Sequence, residues 1–361
     1  MHAQVFDGTG FQPLEVPSVR LGPGEVLVSI ELATICGSDL HTVAGHRSAP
    51  TPLVLGHEQV GRVVELGPGP AAQTVDGRAL IVGTRVVWGV AVDCGHCRYC
   101  LAGLPQKCVS ARKYGHEQLV DDWQLSGGFA SHAHLLARTP IVAVGEDLPA
   151  TVLAPASCAT ATVMAAIESA EAIRSLDGSV VTISGCGMLG LAAIAVAVSR
   201  GARVVASDPE PARREAALGF GATAVADGTA AGLRAALDDL PGAEGGYAIA
   251  LELSGARPAV ETLLAAADIG AVLVLVGSVS PTAAVPLDPE AVVRRLLTVR
   301  GVHNYAPRHL QSAVEFLGSA DTAAFAALVG PTFALADLPQ AVELATTSAS
   351  ARVAVQAGPV S

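Results

Sequence analysis

The sequence predicts an α/β protein: a β-rich N-terminal domain joined to a doubly wound parallel sheet. Three observations lead there. The β-branched runs Val26–Glu31, Val60–Glu65 and Thr84–Trp88 are set off by the turn residues Gly22-Pro23-Gly24, Gly67-Pro68-Gly69 and Gly83. From about Ala156 onward, short apolar runs alternate with Ala-rich helical stretches. Where the first such run meets the first helix lies Gly185-Cys186-Gly187-Met188-Leu189-Gly190, a glycine loop in a strand-to-helix context.

The elements follow in order. Val180–Ser184 reads as a strand, Leu189–Arg200 as a helix and Arg203–Ser207 as a second strand ending at Asp208; Tyr247–Glu252 and Ala271–Val276 continue the alternation. After about Gly301 the pattern breaks, and the chain is expected to return to its first domain. The expected division is therefore 1–158, 159–301 and 302–361. No internal repeat and no low-complexity tract interrupts it.

With 361 residues, 51% hydrophobic and 15% charged, the chain can bury two sizeable cores. Aromatics are only 4%, so those cores are expected to consist mainly of Ala, Val and Leu. A net charge of −11 argues against nucleic acid or an anionic membrane as partner, since both need clustered Lys and Arg. The start lacks the pattern of a signal peptide, and the apolar run near Leu191–Val198 is too short to span a bilayer, so a cytoplasmic location is expected.

Four of the seven cysteines form one cluster, Cys94, Cys97, Cys100 and Cys108, spaced C-x2-C-x2-C-x7-C. Without a secretory signal this reads as metal binding rather than disulfides. Four thiolates from one loop close a tetrahedral zinc shell and leave no open position, which makes the site structural. The alternatives for the same spacing are a group of free thiols and iron–sulfur ligation. Cys36, His57 and Cys158 offer a second, three-ligand set whose fourth position stays open for a substrate oxygen. Ser38 and His41 lie one helical turn apart beside Cys36 and suit a proton path. Asp39 can orient His57, and Glu58 can stand behind the ligands or exchange as one.

In the glycine loop, Gly185, Gly187 and Gly190 permit a tight turn and close approach of a pyrophosphate to the helix that Met188 and Leu189 open. Asp208, 23 residues after Gly185, suits the adenosine ribose hydroxyls and repels a 2′-phosphate, so NAD is expected over NADP. Arg213 and Arg214 pull the other way if they face the cofactor instead of solvent.

Taken together, Gly56-His57-Glu58-x-x-Gly61-x5-Gly67, the four-cysteine lobe and Ala154-Pro155-x-x-Cys158-x3-Thr162 resemble the motifs of zinc-containing medium-chain alcohol dehydrogenases. The resemblance implies a GroES-like catalytic domain, a Rossmann domain and a C-terminal return. It also implies two zinc ions per chain, Thr162 as a nicotinamide contact, a cleft between the domains for substrate and cofactor, and a homodimer or homotetramer. The implied reaction is hydride transfer between NAD(H) and a small alcohol, aldehyde or ketone. Departures occur at Pro70, in the long stretch Ala71–Leu80 and in Lys113-Tyr114-Gly115-His116-Glu117. The last is closer to a bacterial branch associated with phosphonate metabolism and to cyclitol dehydrogenases. His46, Arg47, Lys113 and His116 are therefore candidates for binding a phosphate- or phosphonate-bearing substrate; the bland alternative is solvated loop cations. Rival readings are a non-catalytic zinc-stabilised binding protein and a zinc-independent reductase, which would lack His57-Glu58 and the cysteine lobe.

Overall fold

The run that begins at Val26 becomes a nine-residue strand, Val26–Thr34, most of whose side chains are buried. Such a strand needs neighbours on both edges. Gln59–Leu66 pairs antiparallel along one of them. The other is shared by His132–Leu135, opposite residues 26–29, and by Arg352–Gln356, which sets Ala354 against Thr34 and Val355 against Ala33. The sheet extends through Arg85–Trp88 to Ile141–Ala143 on one side and to Val329–Ala334 on the other, giving seven strands among the described residues. The structure, a computed structural model, describes residues 1–357.

Two units result, Met1–Ala161 with Ala306–Ser361, and Thr162–Tyr305. The sequence suggested breaks at 158 and 301. The helix Ala159–Glu171 runs across the observed division between Ala161 and Thr162, so composition gives no mark at the residue where the units part.

The core of the first unit is built mostly from Ala, Val and Leu, as expected, with a few large aromatics among them. Trp88, Trp123, Tyr114 and Phe129 are all fully buried within it. The few aromatics of the chain gather where large area is needed, and their polar ends find partners. The Trp123 indole donates to the His134 carbonyl at 2.8 Å, and the Tyr114 hydroxyl accepts from the Leu136 amide at 2.9 Å. In the second unit the core is aliphatic, with Val205, Leu233, Leu237, Leu263 and Leu273 around a single Tyr247.

The second unit is a six-stranded parallel sheet. Its strands run in the order Ala224–Ala226, Arg203–Ser207, Val180–Ser184, Tyr247–Glu252, Ala267–Leu275, Thr298–Gly301. The order reverses between Val180–Ser184 and Tyr247–Glu252, the place where such sheets bind dinucleotides. The helix Met188–Ser199 packs there and is apolar nearly all round, as a helix covered on most sides must be. Among the described residues no single helix is long and apolar enough to cross a membrane.

Candidate active site and metal ligands

Cys36 leaves the end of the central strand and caps the helix Gly37–Val43; its amide donates to Asp39 Oδ2 at 2.9 Å. His57 and Glu58 lead into the neighbouring strand. Gly56 before them has φ +92°, and a Cβ there would stand 2.9 Å from the Phe129 amide nitrogen, so only glycine fits. Cys158 closes the turn Ala154–Ser157, and Ser157 Oγ donates to the His57 carbonyl at 3.2 Å. Three segments distant in sequence thus converge: ligand atoms of Cys36, His57, Glu58 and Cys158 all lie within 4.8 Å of one another.

Two sulfurs and an imidazole at such spacing suit a zinc ion, with the Glu58 carboxylate beside them, and the local charges agree. The hydrogen bond from Cys158, helped by the Arg352 guanidinium, holds the Cys36 thiol well below its ordinary range. Burial would lower His57, but the Asp39 carboxylate outweighs it and the imidazole ends well above its usual value. Asp39 Oδ1 lies 3.4 Å from His57 Nδ1, an ion-pair distance too long for a good hydrogen bond, and Nδ1 has no hydrogen-bond partner. A cation at Nε2 would make Nδ1 the protonated nitrogen and draw it toward Asp39.

Glu58 is wholly buried, and the sequence did not reveal its partner. Arg352, 294 residues away, donates to both its oxygens, from Nε at 2.7 Å and Nη2 at 2.8 Å. Thr34 Oγ1 donates to Glu58 Oε2 at 2.7 Å, and Arg352 Nη2 also stands 3.6 Å from Cys36 Sγ. Burial raises the Glu58 carboxyl against the pull of Arg352. This bidentate pair stands behind the ligands, with both carboxylate oxygens engaged. The one sequence signal was an arginine opening the otherwise apolar strand Arg352–Gln356, where an unpaired charge would not be buried.

Ser38 Oγ lies 3.3 Å from His57 Nε2 and so faces the ligand set. His41, on the same helix, is exposed and its ring is 6.0 Å from that of His46. The four substrate candidates separate. His46 turns to His41, whereas Arg47 Nη1 lies 3.5 Å from His116 Nδ1, and the His116 ring is 4.8 Å from that of His57. Burial first, then Lys107 and Arg47, lowers the Lys113 ammonium. Burial, then the neighbouring His57, Arg47 and Lys113, pushes His116 well below the ordinary imidazole range.

The cysteine lobe is built locally. Cys97 precedes the short helix Arg98–Leu101, the Cys94 amide donates to Cys108 Sγ at 3.3 Å, and the Cys97 and Cys100 sulfurs are 3.5 Å apart. All four sulfurs lie within 4.8 Å of one another. Backbone hydrogen bonds, led by that of His96, lower the Cys94 thiol to about 6, while desolvation raises Cys100 to about 12. A divalent cation would favour the thiolate at all four.

In the second unit, a Cβ on Gly185 would meet the Ser254 amide nitrogen at 2.8 Å, and one on Gly190 would overlap the Gly185 carbonyl. Gly187 caps the helix that Met188 and Leu189 begin. Asp208 is buried: its Oδ2 accepts from the Cys186 amide at 2.8 Å and its Oδ1 from the Glu210 amide at 2.9 Å. It therefore braces the glycine loop. Arg213, 58% exposed, lies 3.8 Å from it. Arg214 is not a solvated helix-face residue, for it donates to the Asp208 and Pro209 carbonyls at 2.8 Å. Thr162 is half-buried on the helix Ala159–Glu171.

Residues 22–146 match the alcohol dehydrogenase GroES-like domain, and residues 189–319 match the zinc-binding dehydrogenase domain. An L-threonine 3-dehydrogenase of Streptomyces avermitilis is 34% identical over 304 residues, spanning 81% of this chain and 81% of that protein. Another, of Deinococcus deserti, is 30% identical over 297 residues, 80% and 78% of the two chains. Among solved structures, an alcohol dehydrogenase of Thermotoga maritima superposes with a TM-score of 0.92 at 28% identity, covering 98% of each chain. With both domain families matched and relatives of this identity spanning most of its length, the chain belongs to the zinc-containing medium-chain alcohol dehydrogenases, a family of zinc-dependent oxidoreductases.

Proposed function

We propose that the enzyme transfers a hydride between NAD(H) and a small alcohol, aldehyde or ketone that carries an anionic group, a phosphate or phosphonate foremost. The observation behind this is the contiguous run Arg47, His116, His57, which sets a guanidinium and the neighbouring Lys113 close to the ligand set in a chain of net charge −11. Cations placed together against the global charge attract an anion, and an arginine can grip phosphate oxygens bidentately. A cyclitol phosphate fits the same description. Threonine, named for the relatives, is a secondary alcohol with a carboxylate and suits these cations as a second reading.

Cys36, His57 and Cys158 would hold one zinc, and the four-cysteine lobe another. When bound, the first would supply Lewis acidity toward the alcohol oxygen and a nicotinamide the hydride chemistry. The chain's own residues do the rest. Ser38 takes the alcohol proton and passes it toward His41, which is exposed and releases it to water. Asp39 fixes the His57 ring, and Arg352 holds Glu58. Arg47 and Lys113 orient the substrate through its anion. Asp208 favours NAD over NADP. Homo-oligomers form through the edge strand Thr298–Gly301, beside which Val293 and Leu296 are 71% and 70% exposed.

Initial rates over matched charged and neutral alcohols test the substrate reading. Arg47→Ala should raise KM for the phosphorylated or phosphonated member and leave the neutral one little changed. Equal kcat/KM for the two in the wild type would refute it, and a preference for threonine over both would select the carboxylate.

A further inference from the structure

We propose that Glu252 is a charged positioning residue of the dinucleotide site, which favours the oxidised, cationic nicotinamide over the reduced, neutral one. The inference rests on the nicotinamide cofactor proposed above. Glu252 ends the strand Tyr247–Glu252, pairs in register with Ser184 and is wholly buried. Among the described residues no Lys, Arg or His forms an ion pair with it. Its Oε1 accepts from the Ser254 amide at 2.8 Å, Ser254 Oγ at 2.6 Å and the Gly255 amide at 2.8 Å, and its Oε2 from Ser278 Oγ at 3.2 Å. Its carbonyl accepts from the Val276 and Gly277 amides at 2.9 and 2.8 Å.

One residue thus ties together the two loops that leave the strands Tyr247–Glu252 and Ala267–Leu275, and Ser254 of the first loop lies against Gly185. Amides and hydroxyls solvate a buried carboxylate but do not neutralise it. Position gives the charge its use. Asp208 ends the Arg203–Ser207 strand on the side of the sheet that takes the adenosine. Beyond the switch point, the ends of Tyr247–Glu252 and Ala267–Leu275 are left for the nicotinamide half. Hydride transfer changes that ring from cation to neutral, so a fixed negative charge nearby acts on one form and not on the other. At an effective dielectric of ~20, a unit charge within about 10 Å of a cation changes affinity on the order of tenfold.

The test is equilibrium binding to the full chain: NADH by its fluorescence, and NAD+ by competition. Glu252→Gln keeps the shape and removes the charge. It should raise Kd for NAD+ on the order of tenfold while NADH stays within about twofold. Glu252→Asp keeps the charge and loosens the loops, so both Kd values should rise with their ratio unchanged. A measurement on the wild type alone guards against a variant that does not fold: NAD+ should bind on the order of tenfold more tightly than benzamide adenine dinucleotide, its neutral isostere. Equal binding of those two, or a ratio that Glu252→Gln leaves unchanged, overturns the role of Glu252 alone. A wild type that binds no dinucleotide overturns the cofactor reading and this inference with it.

Discussion

The two thiol-rich sites of this protein are built in opposite ways. Cys94, Cys97, Cys100 and Cys108 come from one short segment at the surface, none of whose short helix is buried. Cys36, His57, Glu58 and Cys158 come from three segments and sit against a guanidinium from the last strand. The lobe depends on little but itself and the cation it would hold. The buried set is fixed by the fold itself: Thr34, Asp39, Ser157 and Arg352 each fasten one of its members. Local sites of the first kind exchange stability for metal; assembled sites of the second kind keep their geometry through the fold.

Breaking the lobe should have the largest effect. Cys97→Ser leaves three sulfurs in a shell that needs four, so elemental analysis should fall from about two zinc per chain to about one. Limited proteolysis should then cut between Cys94 and Cys108. Retention of both zinc ions with full protection would show that the lobe is held by packing and not by its ligands.

The buried pair behind the second site comes next. Arg352→Met strands Glu58 without its cation and should cost about 3–5 kcal/mol in urea unfolding. Adding Glu58→Leu should recover much of that loss, since a well-packed apolar pair avoids burying either charge. If the single variant is as stable as the wild type, Arg352 is dispensable and the fold does not fasten this site as described.

Smaller effects separate the reacting side from the supporting side. Ser38→Ala should reduce kcat by roughly 10²-fold where chemistry limits the rate, with melting temperature and zinc content unchanged. His41→Ala should cost less than about tenfold, because water can replace an exposed outer member of the path. Equal losses in the two variants would mean that the proton leaves by a fixed route through His41, with no bypass through solvent.

What the sequence determined by itself was everything carried by neighbours in the chain. The lobe could be read from its spacing because one loop brings all four sulfurs together. The glycine loop could be read because strand, turn and helix are consecutive, and the strands Val180–Ser184 and Arg203–Ser207 stand where their apolar runs indicated. The motif around His57 was legible for the same reason. Only the tertiary structure decided the remainder. Arg352 meets Glu58 because the final strand pairs with Val26–Thr34 in a register that puts Ala354 opposite Thr34, and nothing local encodes that register. His116 reaches His57 while His46 turns to His41, although Arg47 and His46 are adjacent residues. Trp88, Trp123, Tyr114 and Phe129 share one core because burial area, and not composition, selects where they pack. Spacing along a chain fixes what a short loop can do. Pairing between distant strands fixes which charges are left together in the dark of the core, and only the folded sheet specifies that pairing.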